Sequence, residues 1–348
     1  MPERLFITGN EAAVRGAVDA GAKIMFGYPI TPATEILEGW ITKASVDKNL
    51  QYLQSEDEIA AGFGVLGSIL AGAKAFTASA GIGHVLLQDP IAMAENMRLP
   101  FVGIMMQRGG PSTGTVNFSQ QEVDLAIHGG NGDSFRIVYS ASTVEEMYEL
   151  VIKAFSSAWK YRFPTFVLGD GYLGKMKSTV TFKKMLKPVE SRPILSGSGG
   201  STWLRNCFSK EADLNQLLRH HIADWTKNKS KIVESESFHI DDARYLIVAH
   251  GLVASAAKES VLKMRTDRIR IGLFRPITLN PFDGEYLRKI AKGVKRIFII
   301  ESAYNQLGRI VRSELAGYDI KAKISQISKP AEGFTADEII AEVKKHNA

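Results

Sequence analysis

Three adjacent acidic residues, Glu56, Asp57 and Glu58, form the first group in this chain that could do chemistry. They precede a run of small residues that predicts a helix. Acidic side chains at a helix start have an ordinary role, because they complement the positive end of the helix dipole. Carboxyl groups also serve as proton-transfer groups in enzymes, so the residue types alone leave both roles open.

A second group lies in the segment Tyr28-Pro-Ile-Thr-Pro32, which follows a short apolar run. Pro29 and Pro32 restrict the backbone on either side of Thr31. The Thr31 hydroxyl could therefore bind a ligand with little loss of conformational entropy. The alternative is a turn hydroxyl that forms a local hydrogen bond with the backbone.

Two glycine-containing loops add further candidates. The run 101–106 predicts a strand that leads into Gln107-Arg-Gly-Gly-Pro-Ser-Thr-Gly114. Ligands of parallel sheets bind at the carboxyl ends of strands, and Arg108 could hold a carboxylate there in a bidentate pair. The alternative for Arg108 is a structural role, bonded to loop carbonyls. The loop in Thr77-Ala-Ser-Ala-Gly-Ile-Gly83 offers Ser79 and Gly81 as residues whose backbone a cofactor could approach.

The elements that must position these residues alternate between short apolar runs and helical patterns over residues 4–185. This alternation predicts a parallel sheet with helices on both faces. We predict a helix over 10–20 with Asn10 as its N-cap, a helix over 56–71 and an amphipathic helix over 143–160. The small residues of the helix over 56–71 predict close backbone packing.

The pattern weakens after the first unit and then resumes. A basic run at 183–187, a Ser/Gly tract at 196–201 that predicts flexibility, and a polar helix over 210–227 indicate a linker. A second α/β unit begins at residue 243. We therefore predict three parts: a first domain over 1–185, a basic linker with a helix over 186–242, and a second domain over 243–348.

Composition limits the class of protein. The chain has 348 residues, of which 45% are hydrophobic and 23% charged, which is typical of a globular protein of two or more domains. Its single cysteine, Cys207, excludes an internal disulfide framework and a self-contained iron–sulfur cluster, and indicates a reducing, cytoplasmic setting. We find no secretory signal or membrane span. The net charge is +6, and the excess of Lys and Arg is concentrated between Lys175 and Lys231, which favours a basic linker face or a surface that docks an acidic partner over a nucleic-acid-binding surface.

The motifs together resemble one enzyme family. Segments 27–35, 54–61 and 108–114 are similar to the α-type subunits of the 2-oxoacid:ferredoxin oxidoreductases, and 108–114 looks most like the 2-oxoglutarate branch. Segments 274–282 and 301–308 resemble the transketolase C-terminal-like domain of that family. The resemblance implies an α/β fold with a pyrimidine-type thiamine-diphosphate-binding domain, followed by the transketolase C-terminal-like domain.

The resemblance also implies roles for individual residues. Glu56 matches the glutamate that hydrogen-bonds the cofactor's pyrimidine and promotes loss of the thiazolium proton, which leaves Glu58 a capping or structural role. It assigns Thr31 and Arg108 to the substrate carboxylate. The remaining matches are Tyr28 and Ser112 at the substrate, and Pro29, Ser79 and Gly81 at the cofactor. His84 and His128 lie near these motifs and could handle protons.

The metal site is expected in another chain. Gly169-Asp-Gly171 resembles the start of the thiamine diphosphate metal signature, but the next asparagine, Asn206, is too distant in sequence. The resemblance therefore implies a β-type partner with the Mg²⁺–diphosphate half-site and a [4Fe-4S] cluster, a γ-type subunit, ferredoxin as electron acceptor and coenzyme A as cosubstrate. A dimer of such heteromers is expected.

The expected reaction is oxidative decarboxylation of a 2-oxoacid to an acyl-CoA and carbon dioxide. 2-Oxoglutarate is the favoured substrate, and pyruvate, branched-chain and aryl 2-oxoacids are alternatives. Two other classes stay open: half of a non-redox thiamine diphosphate enzyme, and a structural subunit that stabilises a catalytic partner.

Overall fold

The computed structural model describes residues 3–182, 189–191, 194–195 and 204–346. The basic run at 183–187 and the Ser/Gly tract at 196–201 lie outside these described residues. The strands are β1 (Glu3–Thr8), β2 (Ile24–Gly27), β3 (Gln51–Gln54), β4 (Ala75–Ser79), β5 (Val102–Gln107), β6 (Ile137–Ser140), β7 (Thr165–Asp170), β8 (Lys177–Phe182), β9 (Ser235–Phe238), β10 (Tyr245–Val248), β11 (Ile271–Pro276), β12 (Thr278–Asn280), β13 (Arg296–Glu301) and β14 (Lys323–Ser328). The helices are α1 (Gly9–Asp19), α2 (Thr34–Val46), α3 (Glu58–Leu70), α4 (Ile82–Leu86), α5 (Gln88–Met97), α6 (Val123–His128), α7 (Val144–Tyr161), α8 (Gly171–Lys175), α9 (Glu211–Ile232), α10 (Gly251–Thr266), α11 (Gly284–Ala291), α12 (Gln306–Leu315) and α13 (Ala336–Lys345).

The larger sheet has the strand order β12-β6-β7-β5-β4-β2-β3. All its neighbouring strands run parallel except β12, which pairs antiparallel with β6. Strands β4, β5 and β7 are buried along their whole length, as expected for central strands covered by helices on both faces. The predicted parallel sheet is confirmed, with one addition: β12 comes from the C-terminal half of the chain.

The start of α1 differs from the prediction. Thr8 is the N-cap, and it forms a capping box with Glu11. Asn10 instead lies buried inside the helix, where its side-chain amide donates to the carbonyl oxygen of Pro32 at 2.9 Å. The prediction of Asn10 as cap was wrong because Thr8, two residues earlier, supplies an equally good capping oxygen. Asn10 anchors the proline-rich turn instead.

Helix α3 packs closely through its glycines, as predicted. A Cβ atom on Gly62 would overlap Pro90 of α5, and one on Gly64 would overlap the ring of Phe26 in β2. The helix is shorter than predicted, since it begins at Glu58 with Asp57 as N-cap. Close packing fixes where the first turn of α3 lies relative to β2 and β4.

The second sheet has the order β14-β13-β10-β11-β9. Its strands are parallel except β9, which lies within the predicted linker and pairs antiparallel with β11. Helix α9, also in the predicted linker, packs on the first unit through Trp225, whose ring lies 5.1 Å from that of Phe163. The described part of the linker thus contributes elements to both units. None of the helices in the described residues is long and apolar enough to cross a membrane.

Candidate active site

Four neighbouring strands carry the candidate residues at the same edge of the larger sheet. Strands β3, β2, β4 and β5 are adjacent and parallel, so their carboxyl ends lie side by side. The acidic cluster follows β3, Thr31 follows β2, Ser79 ends β4, and Arg108 follows β5. This edge is the usual ligand-binding edge of a parallel sheet, and the structure therefore brings the predicted motifs together.

Glu58 is the buried carboxyl of this edge. Glu58 is 3% exposed, and its Oε1 accepts a hydrogen bond from the Ser79 hydroxyl at 3.3 Å. Burial raises the pKa of the Glu58 carboxyl above its ordinary value, while bonds from its own backbone N–H and from Ser79 offset part of that rise. A buried carboxyl group whose pKa is raised in this way is suited to sharing or transferring a proton.

The three acidic residues lie in different surroundings. Glu56 lies before the helix and is exposed. Asp57, not Glu58, caps α3, because its side chain accepts the backbone N–H of Ala60 at 2.8 Å. The capping role expected for Glu58 is therefore wrong. With Asp57 as cap, Glu58 falls in the first turn of α3, where its side chain points inward.

Two glycines let the loop after β4 pass between Glu58 and Arg108. A Cβ atom on Gly83 would overlap the Glu58 carboxylate and the Ser79 hydroxyl, and one on Gly81 would overlap the Arg108 side chain. Gly81 also has a φ of +55°, which favours glycine. The backbone of this loop can thus pass close to both the Glu58 carboxylate and the Arg108 side chain.

Arg108 is also buried, with only 5% of the residue exposed. Its Nη1 donates to the carbonyl oxygen of Thr31 at 2.9 Å, which links the β5 loop to the proline-rich turn. Its Nε makes no hydrogen bond to any described residue. A buried guanidinium with spare donors can bind a carboxylate, so the geometry suits the predicted substrate role.

The other predicted residues differ in their exposure to solvent. Tyr28 is 40% exposed, Pro29 is exposed, and Ser112 lies in the exposed loop after Arg108 with a φ of +55°. Ser79 is fully buried against Glu58. Their roles in binding stay predictions.

The Gly169-Asp-Gly171 motif has a structural role in this fold. Asp170 ends β7, and its side chain accepts the backbone N–H of Leu173 as the cap of α8. Among the described residues, there is no group of three or more His, Cys, Asp or Glu side chains that could hold a metal ion.

Sequence reasoning missed Glu122, which lies just before α6. This carboxylate is 5% exposed and accepts backbone N–H groups from both the β4 and β5 loops. His84, considered only as a proton carrier, pairs with Glu122 at 2.9 Å. His128 lies at the opposite end of α6, and its pKa is lowered by burial and by Arg136. The only signal for Glu122 was its place at the start of an apolar helical run, which many surface acids share.

Comparisons with known proteins agree with this fold. Residues 15–193 match the family described as pyruvate flavodoxin/ferredoxin oxidoreductase, thiamine diphosphate-binding. Residues 243–336 match the pyruvate:ferredoxin oxidoreductase core domain II. The chain belongs to the 2-oxoacid:ferredoxin oxidoreductase family, whose members are oxidoreductases that work as complexes of subunits or domains. The predicted family, fold class and thiamine diphosphate cofactor are confirmed.

Two curated relatives cover nearly the whole chain. The ketoisovalerate oxidoreductase subunit VorB of Methanothermobacter marburgensis is 33% identical over 325 residues, which is 90% of this chain and 91% of VorB. The 2-oxoglutarate synthase subunit KorA of Methanocaldococcus jannaschii is 31% identical over 330 residues, with 87% and 89% covered. Both relatives are named as subunits, so this chain too is part of a multi-subunit assembly.

Solved structures agree at the level of the fold. The 2-oxoglutarate:ferredoxin oxidoreductase from Magnetococcus marinus, solved with 2-oxoglutarate, coenzyme A and succinyl-CoA bound, is 25% identical with a TM-score of 0.87. The match covers all of this chain and 66% of that one. A split-gene transketolase is 14% identical with a TM-score of 0.61, and it covers 97% of this chain and 96% of its own.

Proposed function

We propose that this chain is the α-type subunit of a complex that oxidises a 2-oxoacid with coenzyme A. The products are an acyl-CoA, carbon dioxide and a proton, and the two electrons released pass to ferredoxin. Thiamine diphosphate, when bound, supplies the carbanion chemistry that allows a 2-oxoacid to lose carbon dioxide. The observation that carries the proposal is the buried Glu58 carboxyl beside the Gly81–Gly83 turn, in a chain of this family.

The described residues fit the pyrimidine half of that cofactor. Glu58 offers a buried carboxyl of raised pKa, and Gly83 lets the backbone pass beside that carboxylate without a steric clash. We assign to Glu58, rather than to the exposed Glu56, the hydrogen bond to the pyrimidine. The Glu58 carboxyl would hold or share a proton there, because its low-dielectric surroundings disfavour the ionised form.

Arg108 would orient the substrate. Its guanidinium is held by the Thr31 carbonyl and keeps a buried Nε free to donate, so a 2-oxoacid carboxylate can bind beside the reacting carbon. The 2-oxoglutarate preference rests on the Arg108–Gly114 motif and on the KorA relative. The similar identity to VorB supports ketoisovalerate as the second substrate to test.

Beside this site, an exposed apolar face supports a binding surface for a partner subunit. Edge strand β3, the outer side of α3 and helix α4 carry large hydrophobic side chains that are more than a third exposed: Tyr52, Leu53, Ile59, Phe63, Ile82, Val85 and Leu86. Apolar patches of this kind mark protein interfaces. We propose that the β-type subunit covers this face and brings the diphosphate, Mg²⁺ and [4Fe-4S] half of the site against Glu58. The γ-type subunit and the dimer of heteromers complete the proposed assembly.

Matched substitutions test the partner face. In the co-expressed complex, Val85→Asp should greatly reduce recovery of the β-type subunit with this chain, because it places a charge in an apolar interface. Val46→Asp is the control, since Val46 is 82% exposed at the end of α2 and outside this face. Equal recovery of the partner with both variants would argue against the assignment.

The function is tested with the purified complex and a panel of 2-oxoacids. We expect coenzyme-A-dependent acyl-CoA formation coupled to ferredoxin reduction in the wild type. Glu58→Gln should lower kcat by about 100-fold or more, because it removes a proton-transfer group, while Glu56→Gln should change it little. Decarboxylation that requires neither coenzyme A nor ferredoxin would overturn the proposal and favour a non-redox thiamine diphosphate enzyme. If Glu58→Gln kept full activity, Glu56 would be the better candidate for the hydrogen bond to the pyrimidine, or this chain would be a structural subunit.

A further inference from the structure

A single buried carboxylate joins the two loops that carry the candidate site. Oε1 of Glu122 accepts the backbone N–H of Gly81 at 2.8 Å and the backbone N–H of Arg108 at 3.0 Å. Its Oε2 lies 2.9 Å from Nδ1 of His84, which is fully buried in α4. Glu122 therefore fixes the distance between the turn beside Glu58 and the guanidinium that would hold the substrate.

The segment that carries Glu122 is in turn held by the C-terminal domain. Gln120 donates its backbone N–H to the carbonyl oxygen of Ser302 at 3.2 Å, and its Oε1 accepts the Ser302 N–H at 2.9 Å. The Gln120 amide also donates to the carbonyl oxygen of His250 at 2.8 Å. These bonds attach Gln120, two positions before Glu122, to residues that closely follow β13 and β10.

A second clamp acts on the other side of Glu122. The Gln306 amide donates to the carbonyl oxygen of Gln121 at 2.8 Å and accepts the backbone N–H of Asp124 at 3.0 Å. Gln306 begins α12, so both clamps belong to the C-terminal domain. The residues before and after Glu122 therefore have little freedom to move relative to that domain.

We propose that Glu122 is a positioning residue for the reaction, through which the C-terminal domain fixes the Gly81 turn and Arg108 in place. The inference rests on the proposed function for its kinetic consequence only. Without the Glu122 carboxylate, the β4 and β5 loops lose their common acceptor, and the substrate carboxylate site moves relative to Glu58. A displacement of about 1 Å in such a site can cost about 100-fold in rate.

The experiment uses the holoenzyme complex with Glu122→Ala. We expect kcat/KM for the 2-oxoacid to fall by about 10- to 100-fold, mainly through KM, with KM for coenzyme A unchanged. Glu122→Gln should keep most of the activity, because its amide oxygen can still accept both backbone N–H groups. Glu95→Ala is the matched control: it removes another largely buried carboxylate, 10% exposed, which accepts from Phe135 and Arg136, but does not touch either loop.

Gln120→Ala tests the link to the C-terminal domain and stands in for Glu122→Ala if that variant fails to fold. It should raise KM for the 2-oxoacid in the same direction by a smaller factor. The inference is overturned if Glu122→Ala and Glu95→Ala have the same KM, or if Gln120→Ala leaves KM unchanged. A crystal structure of the Glu122→Ala complex with the Gly81 and Arg108 backbones unmoved would also overturn it. An inactive wild-type complex would instead refute the proposed function, whereas the loop positions test Glu122 independently.

Discussion

Gly83 is the residue that leaves room for the buried Glu58 carboxyl. Any side chain there would occupy the space between the Glu58 carboxylate and the Ser79 hydroxyl, which now lie 3.3 Å apart. The position of Glu58 therefore depends on the absence of a methyl group at Gly83.

Gly83→Ala should therefore lower activity and weaken binding of thiamine diphosphate to the complex. The added methyl would push Glu58 from its position. Gly293→Ala, just after α11 and outside the proposed partner face, is the control, because a Cβ there meets, of the described atoms, only the Ile290 carbonyl oxygen at an ordinary contact distance of 3.8 Å. That control should keep full activity and full cofactor affinity. Calorimetric titration of the cofactor, with thermal unfolding of both variants, checks the prediction; unchanged cofactor affinity in Gly83→Ala would contradict it.

Among the elements, β7 and α8 meet at a buried acid. Asp170 is 2% exposed and caps α8 through the Leu173 N–H at 2.8 Å. Burial raises its pKa to about 7, although backbone bonds from Leu173 and Tyr172 oppose the rise. Because the pKa in the folded state exceeds that of the unfolded state, the stability contributed by this carboxyl is complete below about pH 4 and is lost as the pH rises to about 7.

Asp170→Asn should remove that pH dependence. The amide oxygen can still accept the Leu173 N–H, and the side chain stays neutral at every pH. The variant should be more stable than the wild type at pH 8, by an amount on the order of a few kcal/mol, and similar to it at pH 4. Urea unfolding of both proteins between pH 4 and pH 8 measures the difference. If the free energy of unfolding depended on pH in the same way in both proteins, ionisation of Asp170 would not destabilise the folded state.

For the whole molecule, an ion-pair network joins the two units. Arg275 of β11 is 5% exposed and binds both carboxylate oxygens of Glu146 in α7, at 2.7 and 2.5 Å. It also contacts Glu236 at 3.0 Å. Together with the pairing of β12 and β6, this network connects the C-terminal unit to the sheet that carries the candidate site.

Arg275→Met should destabilise the chain by about 3 kcal/mol, because it leaves Glu146 partly buried without its cation. Lys263→Met is the control: its pairing with Asp337 is at the surface, with Asp337 83% exposed, and its loss should not measurably change stability. Urea unfolding of both variants, with Glu146→Gln added to complete a double-mutant cycle, checks the result. Equal stability of the two single variants would mean that the network does not couple the units.

The sequence by itself determined the family, the α/β fold and most elements. Strand β5 and helix α7 lie within one residue of their predicted positions, because apolar periodicity and the turn residues that end each element are local properties of the chain. The sequence also predicted that the motifs after β2, β4 and β5 lie close together, since the carboxyl ends of parallel strands meet at one edge of the sheet.

Only the tertiary structure decided which acid of the cluster is buried and what surrounds it. Glu56 and Glu58 have the same chemistry, and a cap at Asp57 turns one outward and the other inward. The loop-joining role of Glu122 likewise depends on N–H groups from residues 14 and 41 positions away. Burial and long-range hydrogen bonds are set by packing between elements, which no local pattern records.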